Sequence, residues 1–410
     1  MQIIILLLGI VTLFLIALLL SENRSAINIR TVLGAFVIQA SIAAFVLYAP
    51  FGQAFLLSIS NVVSGILEYS SEGINFLFGD IGRFKSGFIF AIHVLPVIIF
   101  VSSLVSVLYY FGIMQKIVSL IGLIFEKLLT TSKAESMAAT SNIFVGNSDV
   151  FILMRPYVSS MTRSELFALM TGGVASIAGA VLVGYASMGI EIKYLLAAAF
   201  MSAPGGLLMA KLIYPETEQP QKITKFEHYD EEDKPINFIE AATRGASNGL
   251  MLALNVGAML LALIALIAAF DGLLGWSTSL LGMDDISLEL IFSYIFAPFA
   301  FLLGVPDSEI LNVGGLIGQK LVLNEFVAYA NYIDIKASLS EHSQVVTTIA
   351  LAGFANFSAP AVLIGVLGTM VPDKKSFIAM IGWKVIAAGL LSNLMSAALA
   401  GLFFAISNLF

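Results

Sequence analysis

Between Ile3 and Leu20 the chain carries no charged residue, and seven later stretches of comparable length carry at most one Asp, Glu, Lys or Arg each. A run of about 20 apolar residues matches the roughly 30 Å hydrocarbon layer of a bilayer. Inside that layer no water can satisfy the backbone, so an isolated apolar segment is held to a helix. The composition agrees: 59% of residues are hydrophobic and 11% charged, with a mean hydropathy of +0.97. No soluble domain of 410 residues has interior enough for so much apolar surface. The expected fold is therefore an all-α polytopic membrane protein.

Eight spans are expected, at Ile3–Leu20, Thr31–Tyr48, Phe88–Tyr110, Ser164–Met188, Tyr194–Ile213, Gly249–Phe270, Val345–Met370 and Ser376–Ile406. The first lacks a small-x-small cleavage pattern and reads as a retained span rather than a signal peptide. Residues 52–79, Lys116–Leu129 and Ser287–Phe301 mix apolar positions with polar ones and suit helices lying in the interface. Residues 215–235 are the one extended polar stretch and read as a solvated loop. With the loop at 21–30 cytoplasmic, all Lys and Arg except Arg83, Lys85, Lys193, Lys320 and Lys336 fall on that side. That asymmetry is what the positive-inside rule expects, and it places both termini outside.

Several function classes drop out. The chain has no cysteine, hence no disulfide or thiolate chemistry. The net charge of −7 is scattered over separate loops, and no basic patch with interleaved aromatics points to nucleic acid. There is no Walker loop, no Rossmann turn and no His/Asp/Glu spacing that reads as a metal site. His93 lies in an apolar span and reads as a satisfied core residue; His228 and His342 read as loop residues.

Two polar interruptions stand out. Phe144-Val-Gly-Asn-Ser-Asp-Val-Phe151 brings Gly146, Asn147, Ser148 and Asp149 into apolar surroundings, as the tip of a re-entrant hairpin over about Ser132–Met161. Leu323-Asn-Glu-Phe326 is a second tip, within Ser308–Ile335. Carboxylates at such depth mark a solute or ion path by default. Lys320 is a candidate structural partner for Glu325. The functional reading is that Asp149 and Glu325 accept hydrogen bonds from a polar solute, with Asn147, Ser148 and Asn356 adding neutral donors and acceptors. Phe354 and Phe357 flank Asn356, where a ring could stack on a flat solute.

The tips belong to a repeat. Gly173-Val-Ala-Ser-Ile-Ala-Gly-Ala-Val-Leu-Val-Gly184 echoes Gly353-Phe-Ala-Asn-Phe-Ser-Ala-Pro-Ala-Val-Leu-Ile-Gly365. Each half then reads span, interfacial helix, hairpin, broken span, span, with the hairpins entering from opposite faces. Residues 1–86 are scaffold spans and an interfacial helix, 87–214 the first repeat, 215–240 a cytoplasmic loop and 241–410 the second repeat. Helices interrupted near Gly172-Gly173 and Phe354 to Ser358 free carbonyls and amides that are tolerable only against a cavity. Freed carbonyls suit sodium, and helix N-termini suit partial negative charge. Inverted repeats with broken helices point to a secondary transporter. An intramembrane enzyme using the two carboxylates has no need of such symmetry.

The residues resemble the concentrative nucleoside transporter family in its bacterial eight-span form, over essentially the whole chain. The resemblance is carried by Asn142-Ile-Phe-Val-Gly146, Arg155-Pro156, Gly172-Gly-Val-Ala-Ser-Ile-Ala-Gly179, Ser202-Ala-Pro204 with Lys211, and Pro215-Glu-Thr-Glu218. Leu254-Asn-Val-Gly-Ala-Met259, Asn324-Glu-Phe326, Gly353-Phe-Ala-Asn-Phe-Ser358 and Leu391-Ser-Asn-Leu-Met395 extend it. It implies a non-enzymatic nucleoside symporter of the bacterial inner membrane, surrounded by lipid, homotrimeric, moving its substrate by an elevator motion. It implies sodium at Asn142, Val145, Ser176 and Ile177 as coupling ion, and no other cofactor. The nucleobase would meet Gly146, Asn147, Ser148 and Asp149, with Val181 nearby; Glu325, Asn356 and Phe354 would hold the ribose and pack the base. A proton-coupled carrier using Asp149 or Glu325 is the alternative.

Two departures matter. The first tip commonly reads Gly-Gln-Thr-Glu or Gly-Gln-Ser-Glu in the family, and here Asn147 and Asp149 are each one methylene short. The seventh span commonly reads Asn-Phe-Ser-Ser, and here Ala359 lacks the last hydroxyl. A lost hydrogen bond is worth roughly 0.5–1.5 kcal/mol net, enough to change preference without abolishing binding. The shorter tip implies a roomier base pocket, suited to purine nucleosides or an atypical base.

Overall fold

The computed structural model describes residues 2–85, 87–221, 235–280 and 286–408, with the side chains of residues 147–149 left out. Among the described residues the chain is helical throughout. It opens with α1 (Gln2–Leu19), α2 (Ile29–Leu47) and α3 (Pro50–Phe78), then α4 (Phe90–His93), α5 (Leu95–Tyr110) and α6 (Ile113–Leu129). A helical hairpin follows, α7 (Lys133–Ser141) and α8 (Asn147–Val158), then α9 (Arg163–Ala175), α10 (Gly179–Ser187) and α11 (Ile192–Ile213). The second half runs α12 (Phe238–Ser279), α13 (Leu288–Leu302), the hairpin α14 (Ile310–Val322) and α15 (Glu325–Ile335), α16 (Glu341–Leu351), α17 (Ala359–Met370) and α18 (Lys375–Ser407). The order of long helix, short helix, hairpin, broken helix, long helix thus occurs twice.

Eight helical stretches among the described residues are long and apolar enough to cross a membrane. Three of them, Arg163–Ser187, Ile192–Ile213 and Pro372–Ser407, are 94% buried along their apolar windows, whereas the α12 window is 17% buried. The former are therefore walled by protein, and α12 presents Leu254, Leu261, Ile264 and Phe270 outward. The count of eight is reached differently from the sequence reading. Residues 50–78 form one continuous helix of spanning length, although their Ser, Asn and Glu content reads as interfacial. Residues 345–370 are divided between α16 and α17, as the Gly353–Pro360 stretch implies.

Where the elements differ from expectation, a local cause is visible. Helix α12 is 42 residues long, about 63 Å at 1.5 Å per residue, far beyond Gly249–Phe270. Asn237 caps it, accepting from Glu240 N, and no proline lies within it to stop it. The third span is kinked at Val94, two residues before Pro96. His342 is not in a loop: it is buried in α16, with Nε2 2.9 Å from Leu303 O. His93 is the satisfied core residue expected, bonded to backbone at Ile89 and Ile81 and stacked on Phe84 at 3.8 Å. His228 lies outside the described residues, as do residues 222–234 of the polar loop.

Both hairpins are seated by specific contacts. Hairpin α7–α8 is held at its base by a buried ion pair between Lys211 on α11 and Glu135 on α7. Lys211 also donates to Ser164 Oγ at 2.8 Å, and Glu135 closes a capping box with Ser132. Hairpin α14–α15 rests on α13 through glycines: a Cβ at Gly315 would stand 2.7 Å from Ser293 Oγ, and one at Gly318 2.6 Å from Phe292 Cβ. Small residues at such spacing let helix backbones approach closely.

Candidate functional site

The two broken helices meet. Helix α9 stops at Ala175 and α10 begins at Gly179; α16 stops at Leu351 and α17 begins at Ala359. Phe354 N donates to Ser176 O at 3.3 Å, tying one break to the other. Each break is also tied to its own hairpin: Gly179 N donates to Phe144 O at 3.2 Å, and Phe357 N to Leu321 O at 2.9 Å. The amide of Asn393 on α18 lies between the breaks, donating from Nδ2 to Ala175 O at 2.6 Å and Ala352 O at 3.1 Å. Gly353 makes room for it, since a Cβ there would be 2.4 Å from Asn393 Oδ1.

Gly172 and Gly173 are not where the first helix breaks; both remain helical, and the break begins at Ser176. The helix needs Gly172 for space, because a Cβ there would lie 2.7 Å from Asn142 Nδ2.

On the side of the first break, Asn142 Oδ1 and Nδ2, Ser141 Oγ, Thr171 Oγ1 and Ser176 Oγ are buried and have no hydrogen-bond partner among the described residues. An unmet buried polar group costs about 1–3 kcal/mol, so such a cluster is a candidate place for a bound ion or water. Asn142 is the C-cap of α7 and Ser176 the C-cap of α9. Both helix ends carry partial negative charge from their last carbonyls. Val145 and Ile177 are buried beside them. The set offers neutral hard oxygens with no carboxylate among them, which fits a monovalent alkali cation better than a divalent ion.

Within the second tip stands Glu325, 2% exposed at the first position of α15. The helix N-terminus favours its negative charge. Tyr185 Oη donates to Oε1 at 3.1 Å and Asn356 Nδ2 to Oε2 at 3.3 Å. The Tyr185 ring is fixed between Phe326, 4.7 Å away, and Tyr329, 4.5 Å away. Asn356 does more than face a solute: its Oδ1 accepts from Ser358 N, Ser358 Oγ and Ala359 N, which starts α17. Lys320 interacts with the Glu325 carboxylate through space but is not within ion-pair distance of it. Its Nζ donates to Ala350 O at 2.7 Å and Asn393 Oδ1 at 2.6 Å.

Of the remaining expected residues, Val181 is fully buried on α10, Ala359 is buried at the start of α17, and Phe354 is half-buried in the second break. Phe357 is 60% exposed, which sets it apart from Phe354 as a surface ring. Gly146 is the N-cap of α8. Asn147, Ser148 and Asp149 form the first turn of that helix, and their side chains lie outside the described residues.

Three family models account for nearly all of this architecture. "Na+ dependent nucleoside transporter N-terminus" matches residues 8–81, "Nucleoside recognition" residues 91–191, and "Na+ dependent nucleoside transporter C-terminus" residues 194–401. The chain belongs to the concentrative nucleoside transporter family. Nucleoside permease NupC of Helicobacter pylori is 47% identical over 407 residues, covering 96% of each protein. Human solute carrier family 28 member 3 is 36% identical over 96% of this chain and 59% of its own length. Among solved structures, CNTnw in an inward-facing substrate-bound state superposes with a TM-score of 0.95 at 47% identity, covering 99% of both chains. A doubly substituted CNTnw in an outward-facing state gives a TM-score of 0.96. These relatives are transporters and not enzymes, and this transporter is likewise a nucleoside carrier.

Sequence reasoning missed two members of the site. Tyr185 stands four residues after Val181, on the same face of α10, and that spacing could have found it. Asn393 lies inside Leu391-Ser-Asn-Leu-Met395, which carried part of the resemblance without any role being assigned to it.

Proposed function

We propose that this transporter is a symporter that draws nucleosides across the bacterial inner membrane by coupling them to sodium. The observation that carries the reading is the group of buried, unpartnered oxygens where α7 and α9 end. Asn142, Val145, Ser176 and Ile177 supply the ion site through the Asn and Ser side chains and backbone carbonyls. The nucleoside lies against the first turn of α8, Gly146 to Asp149, with Val181 beside it. Glu325 and Asn356 take the ribose hydroxyls, Phe354 packs the base, and Ala359 leaves one ribose contact unmade. Ion and substrate sites share the same two breaks, so filling one orders the other, the physical content of coupling.

The hairpins are re-entrant and enter from opposite faces in this reading. Residues 87–214 and 241–410 form the inverted repeats, behind the scaffold of residues 1–86, and the 215–240 segment lies in the cytoplasm. Both termini face outward, and three copies assemble around the scaffold spans, leaving each transport unit free to move as an elevator. The short Asn147–Asp149 tip favours purine nucleosides.

Uptake of labelled nucleoside into proteoliposomes tests all of this. Inward sodium gradients should drive accumulation and purine nucleosides should compete best. Accumulation in sodium-free vesicles under a pH gradient alone would assign the coupling to a proton carried by Asp149 or Glu325, of which Glu325 is the buried carboxylate among the described side chains. Competition by uridine or cytidine alone would refute the purine preference.

A further inference from the structure

The two breaks are built alike and partnered differently. At the first, five buried polar atoms of Asn142, Ser141, Thr171 and Ser176 are bare. At the second, an ammonium is already in place: Lys320, fully buried, donates to Ala350 O near the C-terminus of α16 and to Asn393 Oδ1. It forms no ion pair among the described residues, and its charge is met by neutral oxygens, by the negative end of a helix and, from beyond ion-pair distance, by the Glu325 carboxylate. An alkali cation would use the same kind of donors.

We propose that Lys320 is the tethered cation of the second repeat, holding the end of α16 as a co-transported sodium holds the end of α9, and that its presence keeps a sodium ion out of the second break. The inference rests on the sodium reading above and adds to it a residue that decides which of the two breaks can take an ion. Asn393 links the two sites. Its Oδ1 faces the ammonium while its Nδ2 holds Ala175 O and Ala352 O. Lys320 is thus a positioning residue that fixes the second break without touching the ion at the first.

The physical consequence is specific. Shortening Lys320 to serine leaves Ala350 O and Asn393 Oδ1 without their donor and frees the volume of a lysine side chain. Sodium should then enter the second break. Filling the same volume with methionine leaves those oxygens unmet and admits no ion.

The experiment is thermal unfolding of the purified full-length protein, titrated with sodium chloride against choline chloride at constant ionic strength. Ligand binding to the folded state raises apparent stability by mass action, and the limiting slope against log concentration counts the sites. Wild type should show a one-site slope and Asn142→Ala none. Lys320→Ser should show a slope near twice that of wild type, and N142A/K320S should regain a one-site response. Lys320→Met should be destabilised to the same extent with or without sodium. An unchanged slope in K320S, no response in N142A/K320S, or equal sodium rescue of K320M would each overturn the proposal. If K320S folds poorly in choline, recovery in sodium supports it and absence of recovery overturns it. A wild type indifferent to sodium defeats the coupling reading itself, and that is read before any variant is compared.

Discussion

Gly172→Ala separates ion binding from folding. Alanine is preferred to glycine in a helix interior by about 1 kcal/mol, and Gly172 lies within α9. On local grounds the variant should be as stable as wild type, or more so. Its Cβ, however, would stand 2.7 Å from Asn142 Nδ2 and 3.7 Å from Cγ. That is too close for van der Waals contact, and the asparagine amide is the group free to move. Its displacement takes one oxygen away from the proposed ion site. An interaction with a charged group is worth roughly 1.5–3 kcal/mol, so sodium affinity should fall about ten- to a hundredfold. At a sodium concentration one hundred times the wild-type Kd, binding stabilises wild type by about 2.7 kcal/mol. With a Kd weakened about thirtyfold, the same concentration contributes only about 0.9 kcal/mol. Thermal unfolding in sodium and in choline reads both numbers. Gly365→Ala in α17, where a Cβ meets nothing within 4 Å, is the control. A Gly172→Ala protein that keeps the full sodium response would refute the reasoning. So would one whose loss of response comes with lower stability in choline.

Other substitutions probe the frame around the site. Lys211→Met leaves Glu135 buried without its partner and should cost about 3–5 kcal/mol of stability, seen as a lower Tm; an unchanged Tm would mean that the pair is not formed. Gly353→Ala puts a Cβ 2.8 Å from Ala175 O, a backbone atom held by Asn393, and should sharply reduce the yield of folded protein on size-exclusion chromatography. Tyr185→Phe removes one of the two side-chain donors to Glu325 and should lower stability without substrate by about 1–3 kcal/mol. Its conservative ring should leave folded yield intact, and equal unfolding temperatures would show that the hydroxyl is dispensable.

The features legible in the sequence were those where polar residues interrupt apolar ones. Hairpin arms at Lys133–Ser141 and Asn147–Val158 follow from a carboxylate and an asparagine that lipid would not tolerate. The breaks after Ala175 and Leu351 follow from the Gly/Ala/Ser-rich echo. What stayed illegible depends on which side chain meets which across the fold. Lys320 lies five residues before Glu325, close enough in sequence to suggest an ion pair. Yet α14 ends at Val322, so the two residues belong to different helices and no helical spacing relates them. Gly172-Gly173 reads as a breaker by composition, but glycine serves close approach as readily as flexibility. Asn393 gives no local sign of its work, because its acceptors, Ala175 O and Ala352 O, sit at the ends of two other helices.

Helix α12 has a consequence of its own. At about 63 Å it is roughly twice as long as the hydrocarbon is thick, so it must lean steeply or stand proud of the lipid. Glycines fasten its first third to α5: a Cβ at Gly245 would lie 2.7 Å from Ser102 O, and one at Gly249 2.8 Å from Ile99 Cα. Its far end carries Leu273 and Trp276 outward. A rod anchored at one end and presenting exposed apolar side chains at the other is placed to act as a depth gauge. Mismatch is worth a fraction of a kcal/mol for each ångström, so thinning or thickening the bilayer tilts this rod against the anchored wall of the carrier and makes acyl-chain length a variable that the turnover rate can register.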